Sequence, residues 1–248
     1  MNDTRLTTGQ RFLMQAGAIG AVLGAILQVA AGTGSTSLPS GEPAAVLRDL
    51  AGSAGGWWQI DDFGFMFGAL LWVVAIVALA DTLTDGPAWA LGRLAVALVI
   101  VGATMHALYG ALHGAVLPSL ARDWATADAA TQTALAANAA TTLRMLEAVW
   151  AGMITLFHGV PFILAGLAAT ASWRYPAWLG WIGAVGGAGS VVVGIGMFFG
   201  MAAGLAVPFA IVISVFMVIL GWLLWQEAAE APQAERRAAA GREEPRPM

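Results

Sequence analysis

Long apolar stretches separated by short polar segments dominate the pattern of this sequence. A stretch of about 20 mostly apolar residues is long enough to cross the hydrocarbon core of a bilayer as an α-helix. The pattern therefore predicts an all-α, polytopic transmembrane bundle of six helices within residues 1–226. The predicted spans are residues 12–31, 58–80, 89–117, 143–170, 178–205 and 208–225.

The polar segments predict smaller elements at the ends of these spans. Residues 43–50 have the pattern of a short amphipathic helix on the membrane surface. Residues 121–142 are rich in good helix formers, so span four should begin as a helix that projects out of the membrane. Pro118 bounds span three, and Pro161 should kink span four. Residues 227–248 mix Glu, Arg, Ala and Pro, which predicts a flexible, solvated tail.

Composition supports a membrane environment and excludes several classes of function. The chain is 59% hydrophobic and 10% charged, with a mean hydropathy of +0.76, whereas soluble domains carry about 25% charged residues. A lipid bilayer is the expected partner. With a net charge of −4 and no basic patch, nucleic-acid binding is not expected. The absence of Cys and Lys excludes disulfides, thiolate metal sites and a retinal Schiff base.

The distribution of arginine predicts the orientation. Eight arginines fall on the side of the two termini and three on the other side, so both termini should be cytoplasmic by the positive-inside rule. Four of those eight lie in the tail, so the assignment depends mainly on the tail. We expect a multi-pass protein of a bacterial-type cell (cytoplasmic) membrane. A cleaved signal peptide is the alternative for span one, since Val29, Ala30 and Ala31 are small enough for a cleavage site.

Span five is rich in glycine. Gly183 and Gly187, and likewise Gly196, Gly200 and Gly204, have the small-xxx-small spacing that lets helices approach closely. The pattern predicts tight packing, either on another span of this chain or on a membrane-protein partner or second copy.

All three histidines lie in spans three and four. His106 and His113 are seven residues apart and should share one helix face, with Tyr109 between them. Glu147 and His158 are eleven residues apart and should also share a face. Ionisable groups inside a membrane are costly, which makes this set the candidate functional centre.

Depth along the two helices predicts two layers. The connection between spans three and four fixes the outer ends of both, so depth can be counted from Leu117 and Leu143. His113 and Glu147 should both lie about 6 Å below that end. His106, Thr155 and His158 should lie deeper, at about 17 to 23 Å. We therefore predict one layer of His113 with Glu147 and one of His106 with Thr155 and His158.

Four interpretations of these layers stay open. The residues form a path or a binding site for a proton or a small molecule, since histidine titrates near neutral pH. Alternatively His106 and His158 are axial ligands of haem b in a redox subunit, with Gly102, Gly110 and Gly159 making room for the macrocycle. In the third, the three histidines and Glu147 bind zinc or copper. In the fourth, they are polar contacts between helices of a structural or accessory subunit.

Other polar residues have simpler interpretations. Asp61 and Asp62 begin span two, where carboxylates are favoured by the helix dipole. Met197 and Met201 are four residues apart and are interpreted as gap-filling side chains beside glycine. No phosphate loop, nucleophile elbow or zinc-protease motif is present, so binding or transport is favoured over an enzyme.

Two stretches carry a family resemblance: Phe157-His-Gly-Val-Pro-Phe-Ile-Leu-Ala-Gly166 and Tyr175-Pro-Ala-Trp-Leu-Gly-Trp-Ile-Gly183. They resemble the later spans of an uncharacterised bacterial multi-span membrane protein family, a domain of unknown function. The resemblance covers about a quarter of the chain and consists mostly of residues at helix boundaries. It implies the same topology and no activity.

Overall fold

A computed structural model describes residues 6–32, 41–52 and 56–243, and in this part of the chain all regular secondary structure is helical. The α-helices are α1 (Thr8–Gly32), α2 (Pro43–Gly52), α3 (Gly56–Thr82), α4 (Gly86–Gly110), α5 (Leu117–Thr126), α6 (Ala129–Met153), α7 (Val160–Ala171), α8 (Ala177–Met197) and α9 (Val207–Glu243).

Six helical stretches in the described residues are long and apolar enough to cross a membrane, which confirms the predicted bundle and its bilayer environment. They are Thr8–Ala31, Gln59–Thr82, Gly86–Thr126, Ala129–Ala171, Ala177–Met197 and Ala203–Glu230. We call these spans one to six. The third and fourth, of 41 and 43 residues, are longer than a bilayer requires and extend beyond it.

Spans three and four extend into a small helical cap, formed by α2, α5 and residues 129–142 of α6. We call this side of the bundle the cap end and the opposite side the terminal end. Leu47 of α2 is fully buried, and the Arg48 guanidinium lies 5.8 Å above the ring of Trp124 in α5. The amphipathic pattern of residues 43–50 therefore forms a helix that packs on protein.

Span five ends earlier than predicted. Helix α8 stops at Met197, and Gly200 has φ +87°, a left-handed conformation that favours glycine. The chain reverses there, and the N–H of Met201 donates to the carbonyl of Gly196 at 3.0 Å. Met197 and Met201 therefore do not lie on one helix. The prediction that Gly196, Gly200 and Gly204 lie on one face of the same helix is wrong.

The remaining glycines of α8 pack within the chain. A Cβ on Gly180 would overlap the backbone of Gly166 in α7, and one on Gly187 would lie 2.6 Å from the carbonyl oxygen of Gly159. Gly183 lies against the ring of Phe216 in α9. Close helix approach, with dispersion contacts along the backbone, is what stabilises helix pairs in lipid. The glycine pattern is thus used between neighbouring spans of this chain.

The terminal end is held by polar contacts between α3, α9 and the α7–α8 connection. Arg174 pairs with Glu227 of α9 and donates to the carbonyl oxygen of Thr82 at 3.0 Å. The hydroxyls of Thr82 and Tyr175 lie 2.7 Å apart. Helix α9 continues through Glu243, so the backbone of the predicted flexible tail is helical as far as that residue.

Candidate functional site

The helices that carry the histidines are each interrupted by a π-helical segment. In span three the segment is Ala111–Val116 and contains His113; in span four it is Ile154–Gly159 and contains His158. A π-helical turn inserts one extra residue into an α-helix. Such turns are rare in proteins, and those that occur are frequently at functional sites. Two of them, each carrying a buried histidine, mark these segments as the candidate site.

Each π segment precedes a proline, which explains its position. A proline has no N–H, so the carbonyl four residues earlier loses its intrahelical partner. For Pro118 this carbonyl belongs to Gly114, and it accepts a hydrogen bond from Gln59 Nε2 at 3.4 Å. For Pro161 the corresponding carbonyl belongs to Phe157. The extra residue accommodates the ring, so span three passes through Pro118 rather than ending there as predicted.

His113 is paired with a carboxylate from α3. Its Nδ1 lies 3.0 and 2.9 Å from the two carboxylate oxygens of Asp62, and both residues are buried. Asp62 is therefore a partner of His113 and not a simple helix cap. Gly114 permits this approach, because a Cβ there would lie 2.7 Å from Asp62 Oδ2. Each residue gives the other a hydrogen-bond partner, which lowers the cost of burying both.

The predicted pairing of His113 with Glu147 is wrong. Glu147 is exposed and lines a groove at the cap end with Arg144 and Met201. The prediction assumed unbroken α-helical geometry. It also left out α3: Phe65 of that helix contacts His106 and Asp62 pairs with His113, so this face of span three meets α3 at both histidines.

Thr155 also lies outside the predicted deep layer. Its hydroxyl donates to the carbonyl oxygen of Ala151 at 2.9 Å and packs against Gly194 of α8. The side chain thus faces span five, and among the described residues it makes no hydrogen bond to His106. Its role is local packing between spans four and five.

The structure does bring His106 and His158 together. Their ring centroids lie 5.4 Å apart, the ring planes are tilted by 46°, and the side chains are 1% and 7% exposed. Among the described residues, neither nitrogen of His106 nor Nδ1 of His158 has a hydrogen-bond partner. The backbone of Gly102, one turn before His106, is near enough to act on the ring electrostatically but does not meet hydrogen-bond geometry.

Aromatic rings enclose this histidine pair. Phe157 lies 4.3 Å and Phe65 4.8 Å from the His106 ring, and Trp72 lies 5.9 Å from the His158 ring. Sequence position alone treats these as ordinary core residues. In the fold they isolate the imidazoles from water and place π-faces around them.

Tyr109 and Trp150 connect this region to His113. Tyr109 stacks on His113 at 5.0 Å and lies 4.9 Å from Trp150, which in turn stacks on Phe65 at 6.0 Å. Tyr109 therefore lies between the two histidine layers, as its spacing predicts. Trp150 packs inside the bundle, between Tyr109 and Phe65.

A cavity of about 140 Å³ lies beside His158, between spans one, two, four, five and six. Its walls are mostly apolar. The Nε1–H of Trp150 has no partner among the described residues, whereas the Ser190 and Ser214 hydroxyls already donate to backbone carbonyls. Gln28 also lines the cavity and donates through Nε2 to the carbonyl oxygen of Phe65 at 2.9 Å. The polar groups left to interact with a ligand are thus few and belong to Gln28, Trp150 and His158.

A haem group does not fit between His106 and His158. A Cβ on Gly102 would overlap the backbone of Leu156 and Phe157, so α4 and the second π segment are already in backbone contact. Gly159 likewise packs against Val191 of α8. Two of the three glycines that were predicted to make room for a macrocycle, Gly102 and Gly159, are occupied by helix packing, and a porphyrin would have to separate the two spans.

The predicted four-ligand metal site is not assembled. No group of three or more His, Asp or Glu side chains in the described residues is arranged to hold a metal ion. His113 is held by Asp62, and Glu147 faces outward. Only His106 and His158 stay together as possible ligands.

Two participants were missed by the analysis of the sequence, Asp62 and Trp150. The signal for the site is present twice in the chain: a His-Gly pair followed by proline, at His113-Gly114 before Pro118 and at His158-Gly159 before Pro161. Comparisons with protein-family models, with curated proteins and with solved structures gave no match. The family resemblance of the later spans therefore stays a prediction.

Proposed function

We propose that this integral membrane protein binds a neutral, lipophilic molecule about the size of one aromatic ring, with one hydrogen-bonding oxygen, beside His158. The observation that carries the proposal is the cavity of about 140 Å³ with an almost entirely apolar lining. An engineered apolar cavity of about 150 Å³ is known to bind benzene, so the volume suits a single ring.

The polarity of the walls supports one oxygen on the ligand. Trp150 Nε1–H needs an acceptor, and the imidazole of His158 can donate or accept according to its tautomer. A hydroxyl or carbonyl oxygen near both groups would satisfy a buried donor that otherwise costs about 1–3 kcal/mol. A charged ligand is disfavoured, because no carboxylate or arginine lines this cavity.

The arrangement of spans one and six supports entry from the bilayer. Toward the terminal end the two spans are in close contact, since a Cβ on Gly221 would lie 2.8 Å from the carbonyl oxygen of Ala18. Toward the cap end, Val29 of span one and Ile211 of span six both line the cavity and are exposed on the lipid-facing surface. A lipophilic molecule can thus reach the cavity sideways between these spans.

Binding of 4-iodophenol tests the proposal, with iodobenzene as the matched ligand that lacks the oxygen. We expect saturable quenching of tryptophan fluorescence by 4-iodophenol and a rise in Tm that follows its concentration. At ten times the Kd, binding to the folded state adds about 1.4 kcal/mol. Ala210→Phe, which fills the cavity, should abolish both effects.

Ala107→Phe is the control, because Ala107 is an exposed alanine that does not line this cavity. It should bind like the parent protein. Equal, non-saturating effects of 4-iodophenol and iodobenzene, unchanged by Ala210→Phe, would show partition into detergent and overturn the proposal.

Proton exchange is the second candidate, favoured by the buried Asp62–His113 pair. A groove lined by Asp62, Gln59 and Phe63 lies beside it on the α3–α4 side. In proteoliposomes with a pH gradient, the parent protein should then dissipate the gradient faster than Asp62→Asn. Equal rates for the parent and the variant would dismiss this candidate and leave the pair a structural contact.

A further inference from the structure

Three buried imidazole nitrogens have no hydrogen-bond partner among the described residues: Nδ1 and Nε2 of His106 and Nδ1 of His158. Leaving a buried polar group unsatisfied costs about 1–3 kcal/mol, and each such group in a native fold calls for an explanation such as an ion or a functional role. The T-shaped contact with the Phe157 ring, 4.3 Å from His106, offers no more than a weak N–H···π interaction. The histidine pair therefore has unused binding capacity.

The cavity ligand does not explain this capacity. His158 lines the cavity, but His106 does not. The His106 ring is enclosed by Phe65 and Phe157 and meets the His158 imidazole, with ring centroids 5.4 Å apart. A group that satisfies His106 has to lie between the two imidazoles, separate from the cavity.

Charge limits what that group is. No carboxylate accompanies the pair, because Asp62 is bound to His113. Two neutral imidazoles cannot offset a divalent cation in an apolar interior, where an uncompensated charge is costly. A monovalent, polarizable cation is compatible, since its single charge is spread over the imidazoles and faces the π-systems of the surrounding rings.

We propose that His106 and His158 form a two-coordinate site for Cu(I). Copper in this oxidation state is a monovalent cation that accepts imidazole ligands, and two-fold coordination uses both histidines and needs no anion. Imidazoles that share a metal about 2.0 Å from each nitrogen have ring centres about 6 Å apart. The observed separation of 5.4 Å needs an adjustment of less than 1 Å.

The site would also set the tautomer of His158. Nδ1 is the buried nitrogen without a partner, whereas the ring as a whole lines the cavity. Coordination through Nδ1 requires the proton to sit on Nε2. His158 then presents a donor to the cavity, and a metal-loaded protein should prefer an acceptor oxygen there. The copper site itself does not depend on the proposed cavity ligand.

The test is anaerobic titration of the detergent-purified, metal-free protein with Cu(I), buffered by a competing chelator. We expect one Cu(I) per chain, and an X-ray absorption spectrum of two nitrogen ligands without sulfur. His106→Leu and His158→Leu should each weaken binding by about 100-fold or more, beyond the 10–100-fold typical of second-shell changes. Redox-inert Ag(I) should compete for the same site.

Two controls separate this site from other ligands. Met197→Leu and Met201→Leu each remove a thioether; both should bind Cu(I) like the parent protein. Absence of stoichiometric Cu(I) binding, sulfur ligands in the spectrum of the parent protein, or undiminished binding by folded His106→Leu would overturn the proposal. The parent spectrum decides the point even where a variant fails to fold.

Discussion

The two histidine layers of this bundle share span three and are built in opposite ways. In the layer nearer the cap end, His113 meets both oxygens of Asp62, and a groove lies beside the pair. In the deeper layer, His106 and His158 meet each other and aromatic rings, with three nitrogens unsatisfied among the described residues. In the first layer the buried polar groups satisfy each other, whereas in the second they lack partners among the described residues, so loss of a side chain should affect the two layers differently.

The largest expected effect is the loss of the carboxylate in the first layer. Asp62→Ala leaves a buried imidazole without its partner, and breaking a buried pair costs about 3–5 kcal/mol. The free energy of unfolding in detergent should fall by that amount. The double variant Asp62→Leu/His113→Leu should recover most of the loss, because it removes both polar groups. A double variant no more stable than Asp62→Ala would show that shape, not pairing, matters here.

Helix α4 offers a second comparison, since it is tightly packed at one glycine and open at another. Gly102→Ala would push a Cβ into the backbone of Leu156 and Phe157, whereas no atom lies within 4 Å of a Cβ on Gly110. Overpacking costs about 1–3 kcal/mol. Gly102→Ala should lower the free energy of unfolding by that amount and separate the histidine pair.

Gly110→Ala is the matched control on the same helix. Alanine is favoured over glycine in a helix interior by about 0.5–1 kcal/mol, so this variant should be slightly more stable. Equal destabilisation by the two variants would contradict the close approach of spans three and four at Gly102.

Loss of a histidine should change the free energy of unfolding in opposite directions in the two layers. His106→Leu replaces an unsatisfied polar ring by an apolar side chain of similar size, which removes a desolvation cost of about 1 kcal/mol or more. In the metal-free protein the free energy of unfolding should therefore rise. His113→Leu, which strands Asp62, should lower it. A fall for both variants would show that His106 has a partner that stabilises the fold.

How much of this was predictable depends on helix regularity. The six spans follow from apolar length alone, and the proximity of His106 and His158 follows from counting depth along two antiparallel spans. The partner of His113 does not, because the depth count compared spans three and four and left out α3, which supplies Asp62. The end of α8 at Met197 was missed because the left-handed conformation of Gly200 outweighs an apolar pattern that continues past it.

Asp128 lies outside the membrane-spanning part of the bundle, and its carboxylate can be compared with the buried carboxylate of Asp62. Asp128 is the N-cap residue of α6. Its carboxylate accepts a hydrogen bond from the N–H of Thr131 at 2.8 Å, which lowers the pKa of Asp128 below its usual value. The pKa of Asp128 is lower in the folded than in the unfolded protein. The ionised Asp128 carboxylate therefore stabilises α6 above about pH 4, and this effect is lost as the pH falls through the folded pKa.

Amide hydrogen exchange in the first turn of α6 measures this smallest effect. Protection should fall as the pH is lowered below 4, once the intrinsic pH dependence of exchange is subtracted. In Asp128→Asn the side-chain oxygen can still accept the hydrogen bond, so its protection should be nearly independent of pH over the same range. If the first turn loses protection equally in both proteins, the acid sensitivity arises elsewhere, and the buried Asp62–His113 pair becomes the group to examine by the same comparison with Asp62→Asn.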